Sequence, residues 1–201
     1  MSKRAFDFIV SAVGIFVCSP LFLVVGALIK WDSKGPVFFK QERIGKNFHP
    51  FRIYKFRTMV DDASKKGGTI TFGNDPRVTR VGRFLRRMKI DELPQLVNVL
   101  KGDMSLVGPR PEVREYVEMF SLDYQEILKV RPGITDLASL KYADEASILG
   151  ESATPEHDYV NRVLPDKISL AKEYLRRSSF MFDLSIIFRS VPKLFGQKAT
   201  A

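Results

Sequence analysis

The chain has 201 residues, of which 32 are Lys or Arg and 23 are Asp or Glu, so its formal net charge of +9 predicts an anionic partner: nucleic acid, an acidic membrane surface or a phosphorylated small molecule. This length fits one domain, or one domain with an appendage, and nothing repeats at the period of a solenoid. The single cysteine, Cys18, excludes an intramolecular disulfide, and two histidines are too few for a Cys/His zinc site, so the metal to expect is a hard cation held by carboxylates.

An uncharged apolar segment, FIVSAVGIFVCSPLFLVVGALI, covers residues 8–29. At about 1.5 Å per residue, a helix of this length crosses a hydrocarbon core of roughly 30 Å, so we expect the chain to meet a bilayer. Lys3 and Arg4 precede the segment, as basic residues do in a signal peptide. Asp7, the excess length and the lack of a small-residue cleavage site argue against that interpretation.

Ser19 and Pro20 lie in the middle of this apolar segment. Proline removes a backbone donor and disfavours a helical conformation in the residue before it, so the helix should kink or break here. The Ser19 hydroxyl is then placed to satisfy a carbonyl that the break frees. Basic residues flank both ends, with Lys30 and Lys34 on the far side, which favours a re-entrant hairpin whose ends stay on one side of the membrane. A plain kinked span is the open alternative, because spanning helices tolerate proline.

Two β-prone stretches follow, GPVFFKQERIG and FRIYKFRTM, and the intervening KNFHP predicts that they form a β-hairpin. In the second stretch Lys55 and Arg57 share a face with the apolar residues before them, so an apolar face ends in two candidate substrate-binding cations. An edge strand that ends in solvent explains the same pattern. Residues 61–76 then have the Gly, Asp and Pro content of a loop.

The stretch RVTRVGRFLRRMKI predicts an amphipathic helix. Its apolar stripe, at the spacing i, i+3, i+4, i+7, consists of Val81, Phe84, Leu85 and Met88. Most of its arginines lie away from that stripe, and solvation or contact with acidic lipid headgroups explains them. A subset that faces a phosphate is the sharper hypothesis, for which Arg86 is the candidate.

Residues 88–100, MKIDELPQLVNVL, place two adjacent carboxylates, Asp91 and Glu92, at the start of another helix. Pro94 suits a first turn, and the helix should end near Gly102. The predicted buried stripe consists of Leu93, Leu96, Val97 and Leu100. Capping by Asp91 is a sufficient structural explanation. A cap needs one side chain, however, and adjacent helical positions do not share a face, so Glu92 should have a separate task.

Two further segments fix an irregular backbone around one cation each: GDMSLVGPRPE around Arg110 and RPGIT around Arg131. A rigid turn is the structural alternative for both. Neither is a glycine-rich nucleotide loop, because the chain contains no GxGxxG and no GxxxxGK[ST]. The C-terminal pattern predicts two helices joined near Ser178 and Ser179, which either pack onto the domain or lie in the membrane interface.

These observations predict an α+β fold that is rich in helix, with a small antiparallel β-hairpin and an N-terminal re-entrant, helix-break-helix membrane segment. The predicted parts are the membrane helix over residues 1–32 and a catalytic domain over 33–201 that includes the C-terminal helices. The alternative class is a membrane-tethered basic nucleic-acid-binding protein, but no nucleic-acid recognition motif appears. A structural membrane-surface protein would give the two carboxylates no purpose.

The blocks GPVFFKQERIG, KFRTM, RVTRVGRFLRRMKIDELPQLVNVLKGDMSLVGPRPE and RPGIT occur in order over nearly the whole chain. They resemble the signature blocks of the bacterial sugar transferase family, the monotopic polyprenol-phosphate phosphoglycosyl transferases. Without large extra domains, the chain is most similar to the PglC-type enzymes. The resemblance implies transfer of a phospho-sugar from a UDP-sugar to undecaprenyl phosphate, with Mg2+ and release of UMP. It places the enzyme among the lipids of the bacterial inner membrane, on the cytoplasmic face, with no nucleic acid as partner. The expected donor is UDP-N,N'-diacetylbacillosamine, in the first membrane step of glycoconjugate (N-glycan) assembly.

The resemblance also implies roles for individual residues. Asp91 and Glu92 match the family's Asp-Glu dyad, with Asp91 as the nucleophile that forms a covalent phospho-sugar aspartate, and both are the expected Mg2+ ligands. Arg110 matches the arginine of the Pro-Arg-Pro motif, which is associated with phosphate binding. The membrane helix is expected to break at Ser19 and Pro20. The remaining predicted substrate-binding residues are Lys55, Arg57 and Arg86.

The stretch after RPGIT departs from the family pattern. Many larger relatives have a glycine and then a tryptophan here, whereas this chain continues with Asp136, Leu137 and Ala138. The departure leaves the sugar or acceptor contacts of that region undefined.

Overall fold

A computed structural model of the chain describes residues 3–61, 63 and 75–194. The predicted loop over residues 61–76 therefore lies mostly outside the described residues. The α-helices are α1 (Lys3–Asp32), α2 (Arg80–Arg87), α3 (Gln95–Lys101), α4 (Arg114–Met119), α5 (Ser121–Ile127), α6 (Leu137–Lys141), α7 (Glu145–Gly150), α8 (Pro155–Asp158), α9 (Leu164–Arg177) and α10 (Phe180–Leu194). The strands are β1 (Phe38–Ile44), β2 (Pro50–Phe56), β3 (Ser105–Val107) and β4 (Gly133–Thr135). Short 3-10 turns cover Lys46–Phe48 and Ile90–Glu92, and a π-helical turn covers Tyr159–Val163.

The predicted β-hairpin is confirmed: β1 and β2 pair antiparallel, from Phe38 opposite Phe56 to Ile44 opposite Pro50. Asn47 and Phe48 have positive φ angles in the turn between the strands. A second sheet, in which β3 and β4 pair in parallel, was not predicted from the sequence. The two segments flagged as rigid turns around single arginines are therefore neighbours.

The apolar segment forms one helix, α1, that is long and apolar enough to cross a membrane by length and composition. The helix continues through Ser19 and Pro20, so the chain stays helical where a break was predicted. Pro20 has no N–H for the carbonyl of Phe16 one turn earlier, and the Ser19 hydroxyl donates to that carbonyl instead, at 2.8 Å, as predicted. The re-entrant course through a membrane stays a prediction.

The helix α1 packs lengthwise on the rest of the molecule and leaves its opposite side open. Its buried residues, Asp7, Ser11, Val25 and Ile29, recur at the period of a helix along one face. Val25 and Ile29 share a core cluster with Phe56 of β2 and Leu85 of α2. The exposed side is apolar: Phe8, Ile9, Val13, Phe16, Val17, Leu23 and Val24.

The two predicted C-terminal helices are confirmed as α9 and α10, separated at Ser178 and Ser179. Ile186 and Asp183 of α10 are buried against the domain, so this helix packs onto the body of the protein. Its other side exposes Phe180, Met181, Phe188 and Val191.

The helix α2 is also confirmed, with one correction to its apolar stripe. Leu85 is buried, but Phe84 is exposed beside Arg80, Arg83 and Arg87. A helix of eight residues with only two buried positions, Gly82 and Leu85, presents a narrow contact face, and Phe84 falls outside it.

The buried face of α3 differs from the predicted leucine stripe. Gln95, Asn98 and Val99 are its buried residues, whereas the four predicted positions are only partly buried. The reason is that α3 is surrounded by α1, β2 and β3, so polar as well as apolar side chains have neighbours to meet. The predicted end of the helix is confirmed, because Gly102 has a positive φ of 90° at the C-cap.

Candidate active site

The two adjacent carboxylates stand on a 3-10 turn that leads into α3. Lys89 precedes the turn in a left-handed conformation, with φ of 54°, and Leu93 and Pro94 continue from it with helical backbone angles into α3. Asp91 does not cap a helix here, which corrects the structural explanation weighed in the sequence analysis. Its side chain is 8% exposed, and its Oδ1 atom has no hydrogen-bond partner among the described residues.

Glu92 is held by two cations from distant parts of the chain. The Lys55 ammonium, near the end of β2, donates to Oε1 of Glu92 at 2.7 Å. The Arg110 guanidinium, just after β3, donates to the same oxygen at 2.6 Å and to Oε2 at 3.4 Å. Three of the predicted site residues therefore meet: Lys55 and Arg110 both contact the carboxylate of Glu92.

The surroundings move the pKa values of the two carboxyl groups in opposite directions. Burial raises the pKa of Asp91, and the negative charge of Glu92 raises it further, while Lys55 and Arg86 oppose the shift. Burial also penalises ionised Glu92, but Arg110 and Lys55 outweigh it, so the pKa of Glu92 lies well below its usual value. Burial lowers the pKa of Lys55, and its contact with Glu92 opposes that shift. The lowered pKa favours the ionised form of Glu92, whereas the raised pKa moves the titration of Asp91 to higher pH than is usual for an aspartate.

The other two predicted cations have different positions. Arg86 donates through Nε to the Thr58 hydroxyl at 2.8 Å, and its positive charge acts on Asp91. Arg57 is buried and donates to the carbonyls of Ser33 and Lys34 at the end of α1. No hydrogen bond joins Arg57 to either carboxylate of the dyad within the described ranges. Arg57 therefore joins the hairpin to the end of α1, and its predicted contact with substrate stays a prediction.

Arg110 is fixed by the small parallel sheet that precedes it. Gly108 and Gly133 approach so closely that a Cβ on Gly133 would lie 2.1 Å from the Gly108 nitrogen, so only glycine fits. The Gly133 N–H donates to the Pro109 carbonyl at 3.0 Å, and the Gly108 N–H donates to the Thr135 carbonyl at 3.2 Å. The backbone of the Pro-Arg-Pro segment is therefore held in one position, from which the Arg110 side chain extends.

The carboxylates of Asp91 and Glu92 are the groups in this site that could bind a divalent cation. The residues that the structure describes contain no group of three metal-ligating side chains. Mg2+ does not need such a group, because it usually keeps several waters and takes one or two carboxylates together with substrate phosphates. The unpartnered Oδ1 of Asp91 and the weakly held Oε2 of Glu92 fit this requirement.

Two buried polar residues of α3, the helix that follows the dyad, were not predicted from the sequence. Asn98 is fully buried and bonds to the backbone of β2. Gln95 is also buried, and its Nε2 has no partner in the part of the chain that the structure describes. Their spacing in the helix matched that of a polar surface, so no local signal marked them as buried.

The chain is similar in sequence to known proteins over most of its length. A family model described as "Bacterial sugar transferase" matches residues 1–197. The chain is 40% identical over 194 residues to a UDP-N-acetylgalactosamine-undecaprenyl-phosphate N-acetylgalactosaminephosphotransferase of Aeromonas hydrophila, covering 94% of this chain and 42% of the relative. It is 38% identical to the UDP-glucose:undecaprenyl-phosphate glucose-1-phosphate transferase of Escherichia coli, covering 98% and 41%. It is 36% identical to the exopolysaccharide production protein ExoY of Rhizobium meliloti, covering 96% and 84%. The chain thus spans less than half of the first two relatives and most of the third.

Proposed function

The chain belongs to the bacterial sugar transferase family, and on that premise we propose that it transfers a sugar phosphate from a UDP-sugar to undecaprenyl phosphate and releases UMP. The names of two relatives describe transfers of this kind to undecaprenyl phosphate, which supports the proposal. The single observation that carries it is the contrast within the dyad. Asp91 has an unpartnered carboxylate oxygen, while the adjacent Glu92 is fixed by two cations.

Asp91 acts as the nucleophile in this proposal. One of its oxygens forms a bond to the phosphorus that carries the sugar, the bond from that phosphorus to the bridging oxygen breaks, and UMP leaves with the electron pair. A phosphate oxygen of undecaprenyl phosphate then attacks the same phosphorus and displaces Asp91, which leaves a polyprenyl diphosphate sugar. Each half-reaction exchanges one P–O bond for another, so one pocket serves both.

The cations around the dyad lower the electrostatic barrier to this reaction. A carboxylate that approaches a pyrophosphate is repelled, so positive charge must lie near the reacting phosphorus and the leaving UMP. Arg110 and Lys55 are held by Glu92, and Arg86 is held by Thr58, so the three cations are oriented before the substrate arrives. Mg2+ held by Asp91 and Glu92 would supply further positive charge to the pyrophosphate when bound.

The proposed location is the cytoplasmic face of the bacterial inner membrane, in a monotopic arrangement. The apolar outer side of α1 and the exposed Phe188 and Met181 of α10 support contact with hydrocarbon. An acceptor with a long lipid tail then reaches the dyad from the membrane side while its phosphate stays in the polar region.

The first test is the intact mass of the purified protein after incubation with Mg2+ and single UDP-sugars, without undecaprenyl phosphate. The panel holds UDP-N-acetylgalactosamine and UDP-glucose, the sugars named for two relatives, and UDP-N,N'-diacetylbacillosamine, the donor predicted from the sequence. We expect one donor to add the mass of a phospho-sugar, and undecaprenyl phosphate to remove it.

Asp91→Asn should abolish both the adduct and turnover, because an amide is a poor nucleophile. Asp123→Asn is the matched control, since Asp123 of α5 pairs with Lys172 of α9 and not with either residue of the dyad. An adduct that persists in Asp91→Asn would assign the nucleophile to another residue. UMP release that requires both substrates, without any adduct, would replace the two-step scheme by direct transfer. No UMP from any donor would reject the proposed function.

A further inference from the structure

Asp136 contacts the active-site arginine through its backbone. The residue lies between β4 and α6, and its carboxylate is 3% exposed. Its Oδ2 accepts the backbone N–H of Arg110 at 3.1 Å, and its Oδ1 accepts the backbone N–H of Ser139 at 2.7 Å. One buried carboxylate therefore joins the Pro-Arg-Pro segment to the first turn of α6.

The bond to Arg110 uses the only backbone donor that this segment has. Pro109 and Pro111 carry no N–H, so the Arg110 amide is the single donor across the three residues. The flanking prolines also restrict the backbone, and a fixed amide in a restricted backbone fixes the direction in which the side chain leaves. That side chain ends on Glu92, 2.6 Å from Oε1.

We propose that Asp136 is a positioning residue that orients Arg110 for the reaction, by holding the Arg110 amide with the carboxylate oxygen that α6 does not use. The inference rests on the proposed function, since the reaction it serves is phosphoryl transfer at the dyad. Asp136 itself touches neither substrate nor the reacting atoms. It acts through Arg110, which in turn contacts Glu92.

Helix capping alone does not explain the choice of residue. The bond from Ser139 satisfies the cap of α6, and a serine side chain provides such a cap as well as an aspartate does. Serine is one atom shorter and offers a single oxygen, so it cannot also reach the Arg110 amide. The two oxygens of Asp136 thus have separable functions, one in helix stability and one in the active site.

Two variants separate these functions. Asp136→Ser keeps the cap and loses the bond to Arg110, and Asp136→Ala loses both. We expect both variants to lower kcat for UMP release roughly tenfold, because a mispositioned charged group loses its transition-state contact. Only Asp136→Ala should also lower the thermal midpoint. If kcat falls only in Asp136→Ala, which loses the helix cap, and Asp136→Ser equals wild type, the proposal is overturned.

A double-mutant cycle tests whether the effect passes through Arg110. Arg110→Lys keeps a cation but loses the paired donors of the guanidinium. In the Arg110→Lys background, Asp136→Ser should lower kcat for UMP release by less than about twofold, because the guanidinium that Asp136 orients is already gone. Full, multiplicative losses would show that Asp136 acts independently of Arg110 and would overturn the proposal.

Amide hydrogen exchange tests the same contact without any substrate. In the intact 201-residue chain, peptides that span residues 104–113 should exchange faster at one site, by about tenfold or more, in Asp136→Ser than in wild type. Unchanged exchange would overturn the proposal.

The activity of the wild-type protein distinguishes failure of the proposed function from failure of the positioning role. If wild type releases UMP and Asp136→Ser does so equally fast, only the positioning role is lost. If wild type releases no UMP from any donor, the reaction and the role that serves it are both lost, and faster exchange would then show a structural bond only.

Discussion

Asp91 and Glu92 are neighbours in sequence, yet the protein gives their carboxyl groups opposite environments. Glu92 meets Lys55 and Arg110, and its pKa lies well below the usual value. Asp91 is buried beside that fixed anion, so its own pKa is raised. A pair of carboxyl groups with divergent pKa values is typical of groups that divide the work of a reaction. In the proposed reaction Glu92 holds the two cations, and Asp91 makes the attack with a carboxylate oxygen that has no hydrogen-bond partner among the described residues.

The pH dependence of turnover should reveal this arrangement through Lys55→Met. The ammonium of Lys55 lowers the pKa of Asp91, so its removal raises that pKa and leaves more Asp91 protonated at acidic pH. Because only the ionised carboxylate attacks, the acidic limb of kcat/KM should move to higher pH. The measurement is the pH profile of UMP release. Lys101→Met is the control, since Lys101 is exposed on the other end of α3. A limb that stays in place would mean that Asp91 ionisation does not control the rate.

Local motifs were enough to find the dyad and Arg110, but not to find what each residue contacts. Glu92 meets cations that are 37 and 18 positions away in the chain, and these contacts depend on how β2 and β3 each pack against α3. Arg57 shows the limit from the other side. It follows Lys55 by two positions, yet its guanidinium binds the end of α1, because β2 stops at Phe56 and the chain then turns.

At the scale of elements, α3 is the support that carries the dyad, and polar groups attach it on several sides. The Asn98 amide accepts the Tyr54 N–H at 3.0 Å and donates to the Arg52 carbonyl at 2.8 Å, so it pairs with the free edge of β2 as another strand would. At the C-terminal end of α3, Arg4 donates to the carbonyls of Val99 and Leu100. The first turn of α1 thus contacts α3, the helix that follows the 3-10 turn of Asp91.

Asn98→Ala should destabilise the protein strongly, because it removes a fully buried amide that bonds to the Tyr54 N–H and to the Arg52 carbonyl of β2. The loss of each bond costs about 1–2 kcal/mol, so we expect a total loss of roughly 2–4 kcal/mol and a fall in thermal midpoint of about 5–15 °C. The midpoint is measured in detergent at one fixed scan rate. The matched control is Asn161→Ala, which removes an exposed amide with a single bond to its own helix and should shift the midpoint by less than about 2 °C. Equal shifts would show that the bonds to β2 contribute nothing particular.

Element types were easier to predict from the sequence than the contact faces of the elements. The hairpin, α2, α9 and α10 follow from periodicity and turn residues. The parallel pairing of β3 with β4 has no such signal, because each strand has three residues and the partners are far apart in the chain. The buried face of α3 was mispredicted for a related reason: periodicity marks apolar stripes, and α3 buries Asn98 and Gln95.

The whole molecule is organised around α1, which is attached near both of its ends and apolar between them. Near the start, Lys3 pairs with Asp183 of α10 at 2.5 Å, and Asp7 accepts the Ser105 hydroxyl at 2.7 Å. At the end, Asp32 accepts the N–H of Val81 in α2 at 2.9 Å, and Arg57 donates to the carbonyls of Ser33 and Lys34, just after the helix. A helix held in this way presents one fixed face to its surroundings, and that face is apolar over most of its length.

A single lysine on that face should therefore weaken binding to lipid. Leu23 is 78% exposed on α1, and Leu122 is 81% exposed on α5, so the same substitution at both positions compares two equally accessible leucines. A charge placed in hydrocarbon costs about 2.5–3.5 kcal/mol, so Leu23→Lys should lower partition into vesicles of phosphatidylethanolamine and phosphatidylglycerol by roughly tenfold or more. Leu122→Lys should leave partition unchanged. Flotation of the vesicles on a density gradient measures the bound fraction, and the thermal midpoint in detergent checks that both variants are folded. Equal partition of the two variants would show that the exposed side of α1 does not enter the bilayer, and the lipid acceptor would then have to reach the dyad from another face.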